Sequence, residues 1–285
     1  MRMNAVRARI FCATLTALGA LLSPAAALAA SQPFVPSFWD PALRPERPDL
    51  SGVRAIRFLT ADDYPPLNFA LDDGTLAGFN VEIARAICET LDIGCTIQAR
   101  RFDTLIDSLT TGKGDAVIAS ISATPATRAQ VDFSLPYYQT PARFVARKGS
   151  APPDAGPAAL KGKTIGVVAG SSHEAYLKAF FPGAKQKPYP NASALETALR
   201  ASEIDAAFGD GLTFAVWLNG ESSQNCCAFL GGPFCESRFF GEGVGIAVRT
   251  DDAELRKALN WALAQIASRG TFAEIYLKYF PVGFY

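Results

Sequence analysis

The sequence predicts a two-lobed α/β protein in which the second lobe interrupts the first. Three observations carry that expectation. Strand-like and helix-like runs alternate from Ala55 to Thr111, the spacing of βαβ units with parallel strands. A Pro/Gly-rich connection, APPDAGPAAL at 151–160, then precedes a second alternating series that begins at Lys163. The tail returns to helices from Asp252, as expected of a chain that rejoins its first lobe. The expected division is 53–141 with 243–285 for the first lobe and 142–242 for the second.

Arg2, Arg7 and Arg9 lead into an apolar run from Ile10 to Leu22, followed by the small-residue pattern Ala27-Leu28-Ala29. Residues 1–30 read as a secretory signal peptide whose apolar stretch is too short for a membrane span. Residues 31–52 hold five prolines with Phe34, Phe38 and Trp39 between them. They read as an extended arm packed by its aromatics onto the nearest domain. Ala55–Thr60 is β-branched and aromatic enough for a strand, and Pro65-Pro66 stops extension beyond Tyr64. Asp72-Asp73-Gly74 marks a turn, and Asn80 stands where it can cap a helix over Val81–Leu91. That helix is predicted because Val81, Ala84, Ile87, Cys88 and Leu91 recur at helical spacing. A strand at Cys95–Gln98 follows, then Asp103 as the cap of a helix over Thr104–Thr111 that Gly112 ends.

The second series runs strand Lys163–Val168, a helix from Ser172 to Phe181 and a strand near Gln186–Tyr189. A helix capped by Asn191 or Ser193 leads to a strand over Ile204–Gly209 that ends at Asp210. A short helix at 212–218, a strand around Ala228–Leu230 and a Gly-rich strand at 241–249 come next. Helices over Asp252–Ser268 and Thr271–Tyr279 close the chain.

The 285 residues are 49% hydrophobic and 19% charged, enough to bury a core. Basic and acidic residues number 27 each, and without the leader the balance is 24 to 27. That argues against nucleic acid or an anionic membrane surface as partner. Export to a periplasm places the cysteines where disulfides persist. Cys88 ends a helix and Cys95 begins a strand, within disulfide range; Cys235 is expected to pair with Cys226 or Cys227. With one histidine, His173, and thiols inclined to pair, neither metal nor cofactor is expected.

The stretch with the most chemistry is Gly112–Tyr138, GKGDAVIASISATPATRAQVDFSLPYY. A short strand at Ala116–Ala119 ends in a polar loop with Ser120 and Ser122, and Pro125 opens one helical turn carrying Arg128. Hydroxyls, loop N–H groups and a planar guanidinium suit a small carboxylate. This stretch resembles the signature of the amino-acid-binding (family 3) solute-binding proteins of bacterial ABC importers. The likeness extends from about Ile56 to Phe280, through Tyr64-Pro-Pro, Gly78-Phe79-Asn80, Phe102-Asp103, Gly114-Asp115, the run Ile204–Asp210 and the terminal Gly270–Phe280. The nearest likeness is to the lysine/arginine/ornithine- and histidine-binding branch, which shares a Cys-x6-Cys like Cys88 and Cys95.

The resemblance implies the two-lobed periplasmic-binding-protein fold (type II), closing like a hinge on its ligand. Arg128, helped by Ser122, Ser120 and the Ser172 N–H at a helix start, would hold a ligand carboxylate. Asp210 would accept from the ligand ammonium, and Tyr64 and Phe102 would wall the side chain. Two departures stand out. Family members with cationic ligands carry an acid three residues before the tyrosine, where this chain has Ala61. Ser122 to Arg128 is also one residue longer than the family spacing.

The implied protein is a monomeric periplasmic receptor, not an enzyme, that delivers an amino acid to an ABC permease. An alternative is a periplasmic enzyme on the same scaffold, resembling cyclohexadienyl dehydratases, with Glu82, Glu174 or Glu242 as its acid. A third reading is a sensor docking through the N-terminal arm. Asp210 also suits a helix cap, and Arg143 suits either a bridge between lobes or an acidic ligand side chain. His173, beside Ser172, is not expected to form a nucleophilic pair.

Overall fold

The computed structural model describes residues 35–38, 45–50, 54–281 and 283–285; the expected signal peptide and Trp39 lie outside the described residues. The chain opens with strand β1 (Ala55–Thr60), then a small antiparallel meander of β2 (Asp63–Tyr64), β3 (Asn68–Ala70) and β4 (Leu76–Ala77). Helix α1 (Phe79–Leu91) starts two residues before the predicted point and takes Gly78 as its N-cap, with no side-chain cap. Gly78 is required there: its φ is 121°, and a Cβ would lie 2.4 Å from the Leu67 carbonyl oxygen. Asn80 therefore falls inside the first turn, and its buried side chain has another use.

Strand β5 (Gly94–Ala99) pairs parallel with β1, as the βαβ spacing predicts. A 3₁₀ turn at Phe102–Thr104 precedes α2 (Leu105–Thr110), so Asp103 sits within that turn and does not cap the helix. Then come β6 (Ala116–Val117), α3 (Pro125–Arg128), β7 (Asp132–Phe133) and β8 (Ala142–Arg147). The second series holds β9 (Thr164–Val168), α4 (Ser172–Phe180), β10 (Lys185–Tyr189), α5 (Ala192–Arg200) and β11 (Ala206–Asp210). After it come α6 (Gly211–Asn219), β12 (Cys227–Phe234), α7 (Ser237–Phe240), β13 (Ala247–Val248), α8 (Ala253–Ser268) and α9 (Thr271–Tyr279).

Among the described residues the strands form two five-stranded sheets besides the meander: β5-β1-β6-β13-β7 and β10-β9-β11-β8-β12. In each, three parallel strands are followed by one that runs against them, β13 or β8, and the last strand, β7 or β12, pairs antiparallel with that one and so runs with the first three. Strand β13 carries the late return of the chain into the first sheet, the interruption that the sequence predicts. The fold is α/β with two lobes. Helices α1, α8 and α9 bury Ile83, Ile87, Leu259, Leu263 and Tyr276 against one face of the first sheet. Leu212 and Ala215 of α6 join that cluster, so the two halves share apolar contact. Phe144, Ile165, Leu177 and Phe208 fill the core of the second. The arm packs as expected where it is described: Phe38 stands edge-on to Phe272 and Tyr285, with centroids 6.2 and 5.6 Å away. Among the described residues no helix is long and apolar enough to cross a membrane.

Cys88 and Cys95 are joined, with Cα atoms 6.0 Å apart. The expected pairing of Cys235 is corrected: Cys226 bonds to its neighbour Cys227, and Cys235 is a free, exposed thiol. Register explains this. Cys227 lies opposite Arg147 and Phe234 opposite Ala142, so Cys235 is five or more residues along the partner strand, about 17 Å, from Cys227. That is far outside disulfide range. Closing the short 88–95 loop restricts the unfolded chain, so Cys88→Ala/Cys95→Ala is expected to cost about 2–3 kcal/mol in denaturant melts, with the ligand-binding fold retained.

Candidate functional site

The first half contributes a polar loop held from beneath. Ser120 adopts φ 61° at the end of the β6 segment, a conformation uncommon for a residue with a side chain. It is held by Asn80, whose amide donates to Ser120 Oγ at 2.9 Å and to Asn68 Oδ1 at 2.8 Å. Asn80 Oδ1 accepts from the Tyr137 hydroxyl at 2.6 Å, and Asn68 donates to the Ala61 carbonyl at 3.1 Å. Asn68 and Asn80 are fully buried, so each partner lost would leave a desolvated polar group. Sequence reasoning missed this network, because Asn80 reads equally well as a helix cap.

Between Ser122 and Arg128 the chain makes the first turn of α3. Thr124 and Thr127 form a reciprocal capping box, and Thr127 Oγ1 donates to the Ser122 carbonyl at 2.9 Å. Arg128 is carried outward. Its guanidinium lies 5.8 Å over the Phe133 ring and 3.2 Å from Glu242. Ser122, Arg128 and Glu242 line a cavity of about 380 Å³ closed on the other side by Ser237, Arg238 and Phe240.

The second half contributes Asp210 at the end of β11. Its Oδ1 accepts from the Thr213 N–H at 2.7 Å and the Thr213 hydroxyl at 2.9 Å, capping α6. Oδ2 has no hydrogen-bond partner among the described residues. Tyr64 is about half exposed (48%); partial burial, and after it the Asp210 charge, raise its pKa. Tyr138 feels the same neighbourhood: burial raises its pKa well above the ordinary value, Ser120 opposes, and Tyr64 and Asp210 add to the rise. Tyr64 also borders a second cavity of about 410 Å³, with Pro65 and Pro66 facing Leu212, Thr213 and Trp217. Glu196 lines it too, its pKa pushed up by burial to about 7.

Ser172 is exposed and is the first residue of α4; the cap is Ser171, whose Oγ accepts from the Glu174 N–H at 3.2 Å. Phe102 is exposed and borders neither cavity. Ala61 is buried beside Leu59 and Leu105 and offers no carboxylate. Arg143 forms no ion pair between the lobes among the described residues. It is 7% exposed, lies 4.3 Å over Phe229, and leaves Nε and Nη1 without hydrogen bonds.

The three acids of the enzyme alternative are all engaged. Glu82 is partly desolvated, but Lys278 and Tyr279 hold it below the ordinary range. Glu174 is held low by Lys178 and the Gly170 N–H, and Glu242 pairs with Arg128. His173 stacks on Phe240 at 5.2 Å, and burial lowers its pKa against the opposing charge of Asp210. A base with a lowered folded pKa favours the neutral form. Its stabilising contribution is complete above the unfolded value of 6.5 and falls as pH drops towards the folded value. With one imidazole in the chain, NMR titration is expected to give a midpoint below 6.5; a midpoint at or above it contradicts this environment.

The polar groups described above gather at two cavities, one between the Tyr64–Leu67 segment and α6 and one between the Ser122–Arg128 loop and the 237–244 segment. Residues 56–282 match the bacterial extracellular solute-binding proteins, family 3, and the chain belongs to that family. It is 34% identical over 230 residues to the putative ABC transporter arginine-binding protein 2 of Escherichia coli, covering 81% of this chain and 92% of that one. The lysine/arginine/ornithine-binding periplasmic protein of E. coli is 33% identical, covering 81% and 89%. The L-cystine solute receptor of Neisseria gonorrhoeae, in an unliganded open conformation, superposes with a TM-score of 0.70 at 23% identity, covering 79% and 92%. These relatives are binding proteins, and the chain is accordingly a solute-binding protein, not an enzyme.

Proposed function

We propose that this protein is a periplasmic receptor that captures an α-amino acid between its lobes, 53–141 with 243–285 and 142–242, and presents it to an ABC permease as a monomer. The observation that carries the reading is the cavity lined jointly by Tyr64 of the first half and by Leu212 and Thr213 of the second, beside the Asp210 carboxylate that caps α6. Asp210 Oδ2 takes the ligand ammonium, while Arg128, Ser122, Ser120 and the Ser172 N–H take its carboxylate. Charge-assisted hydrogen bonds of this kind contribute about 1.5–3 kcal/mol each. A ligand with both groups engages both halves, and its binding energy then favours closure. Tyr64 walls the side chain. The family, the arginine-binding relatives and the leader-like N-terminus support import from a periplasm. Ala61 supplies no acid for a cationic side chain, so the proposal rests on the α-groups alone.

Thermal unfolding of the mature protein against the twenty amino acids and prephenate tests this. A ligand at a hundred times its dissociation constant adds about 2.7 kcal/mol, a rise of a few degrees. Asp210→Asn keeps an oxygen for the α6 cap but removes the charge; it is expected to melt near wild type while weakening the ligand at least about tenfold, or 1.4 kcal/mol. Silence from every amino acid, with prephenate consumed, would favour the dehydratase-like alternative.

A further inference from the structure

Glu242 is an acid that the amino-acid reading leaves without a role. It sits on the segment that returns from the second sheet to the first, between Gly241 (φ 78°) and Gly243 (φ 102°). Gly243 tolerates no side chain, since a Cβ would stand 2.8 Å from Pro136 Cβ and 3.0 Å from the Tyr138 carbonyl oxygen. The segment is fixed on both sides of Glu242. Gln139 Nε2 donates to the Gly241 carbonyl at 2.9 Å, and Val244 forms bridges to Ser122 and Tyr138. From that fixed base Glu242 reaches the Arg128 guanidinium at 3.2 Å, and both line the Ser122 cavity. The side chains of Arg128 and Glu242 remain 50% and 75% exposed, so the pair is open to an incoming anion.

We propose that Glu242 is a built-in competitor for the Arg128 guanidinium, displaced by the ligand carboxylate, and a residue that selects against ligands with a second carboxylate. The inference rests on the reading that Arg128 takes the ligand carboxylate. A guanidinium fork matches one carboxylate bidentately, so Glu242 and the ligand compete for the same donors. After exchange, Glu242 remains beside the site as an uncompensated negative charge. It then repels an acidic ligand side chain, while a neutral or cationic one meets no penalty. The exchange also unties α3 from the returning segment, joining carboxylate capture to the part of the chain that a hinge movement must bend.

The test is calorimetric titration of the mature protein, Glu242→Gln, Arg128→Ala and the double variant with the twenty amino acids at one ionic strength. Arg128→Ala is expected to weaken the amino acid that wild type binds at least tenfold. Glu242→Gln is expected to tighten it by about two- to fivefold, the worth of an exposed ion pair, and to gain more for aspartate and glutamate. In the Arg128→Ala background the gain for the amino acid that wild type binds should vanish, because no guanidinium is left to compete for, while the excess gain for aspartate and glutamate persists; a merely structural role for Glu242 does not produce that split. Loss of binding in Arg128→Ala with no gain in Glu242→Gln overturns the inference and leaves the clamp standing. Unchanged binding in Arg128→Ala removes the clamp and the inference together, as does the absence of binding by wild type and every variant.

Discussion

The architecture depends on the chain crossing between its two sheets twice, and Val244 is where the crossings are tied. The Val244 N–H donates to the Tyr138 carbonyl at 2.8 Å, and its own carbonyl accepts from the Tyr137 N–H at 2.9 Å. The same residue bridges to Ser122. The outgoing segment, the returning segment and the site loop therefore share one buried residue. Backbone pairing at this point sets where Ser120, Ser122 and Arg128 stand relative to the entry of β8, and hence relative to Asp210 at the end of the antiparallel partner β11.

Each half prepares its polar groups by different means. In the first, buried amides fix an unusual backbone turn: Asn68 and Asn80 hold Ser120, and Tyr137 completes Asn80. In the second, a helix cap does the orienting, with one Asp210 oxygen spent on Thr213. Both arrangements are held by hydrogen bonds within their own half. On the proposed reading, lobe movement is what remains for binding to drive.

Much of this was legible in the sequence, where local chemistry decides local structure. Helical spacing located α1, the alternation of patterns gave the parallel βαβ order, and Asp210 was readable both as a strand end and as a cap. The readings that changed depend on partners far along the chain. Asn80 reads as a cap because its neighbours permit one; its partners lie 12, 40 and 57 residues away. That Cys235 cannot reach Cys227 follows from strand register, which spacing does not reveal. Arg128 was visible in the sequence, but Glu242, 114 residues on, was not visible as its partner.

The central claim is that one small molecule engages both halves and draws them together. Small-angle X-ray scattering of the mature protein, with and without a saturating concentration of the amino acid that stabilises it, tests this most directly. The account predicts a smaller radius of gyration in the bound state, and no such change for Asp210→Asn at the same concentration. Scattering that is identical with and without a demonstrably bound ligand would contradict it, because the ligand would then occupy one half alone.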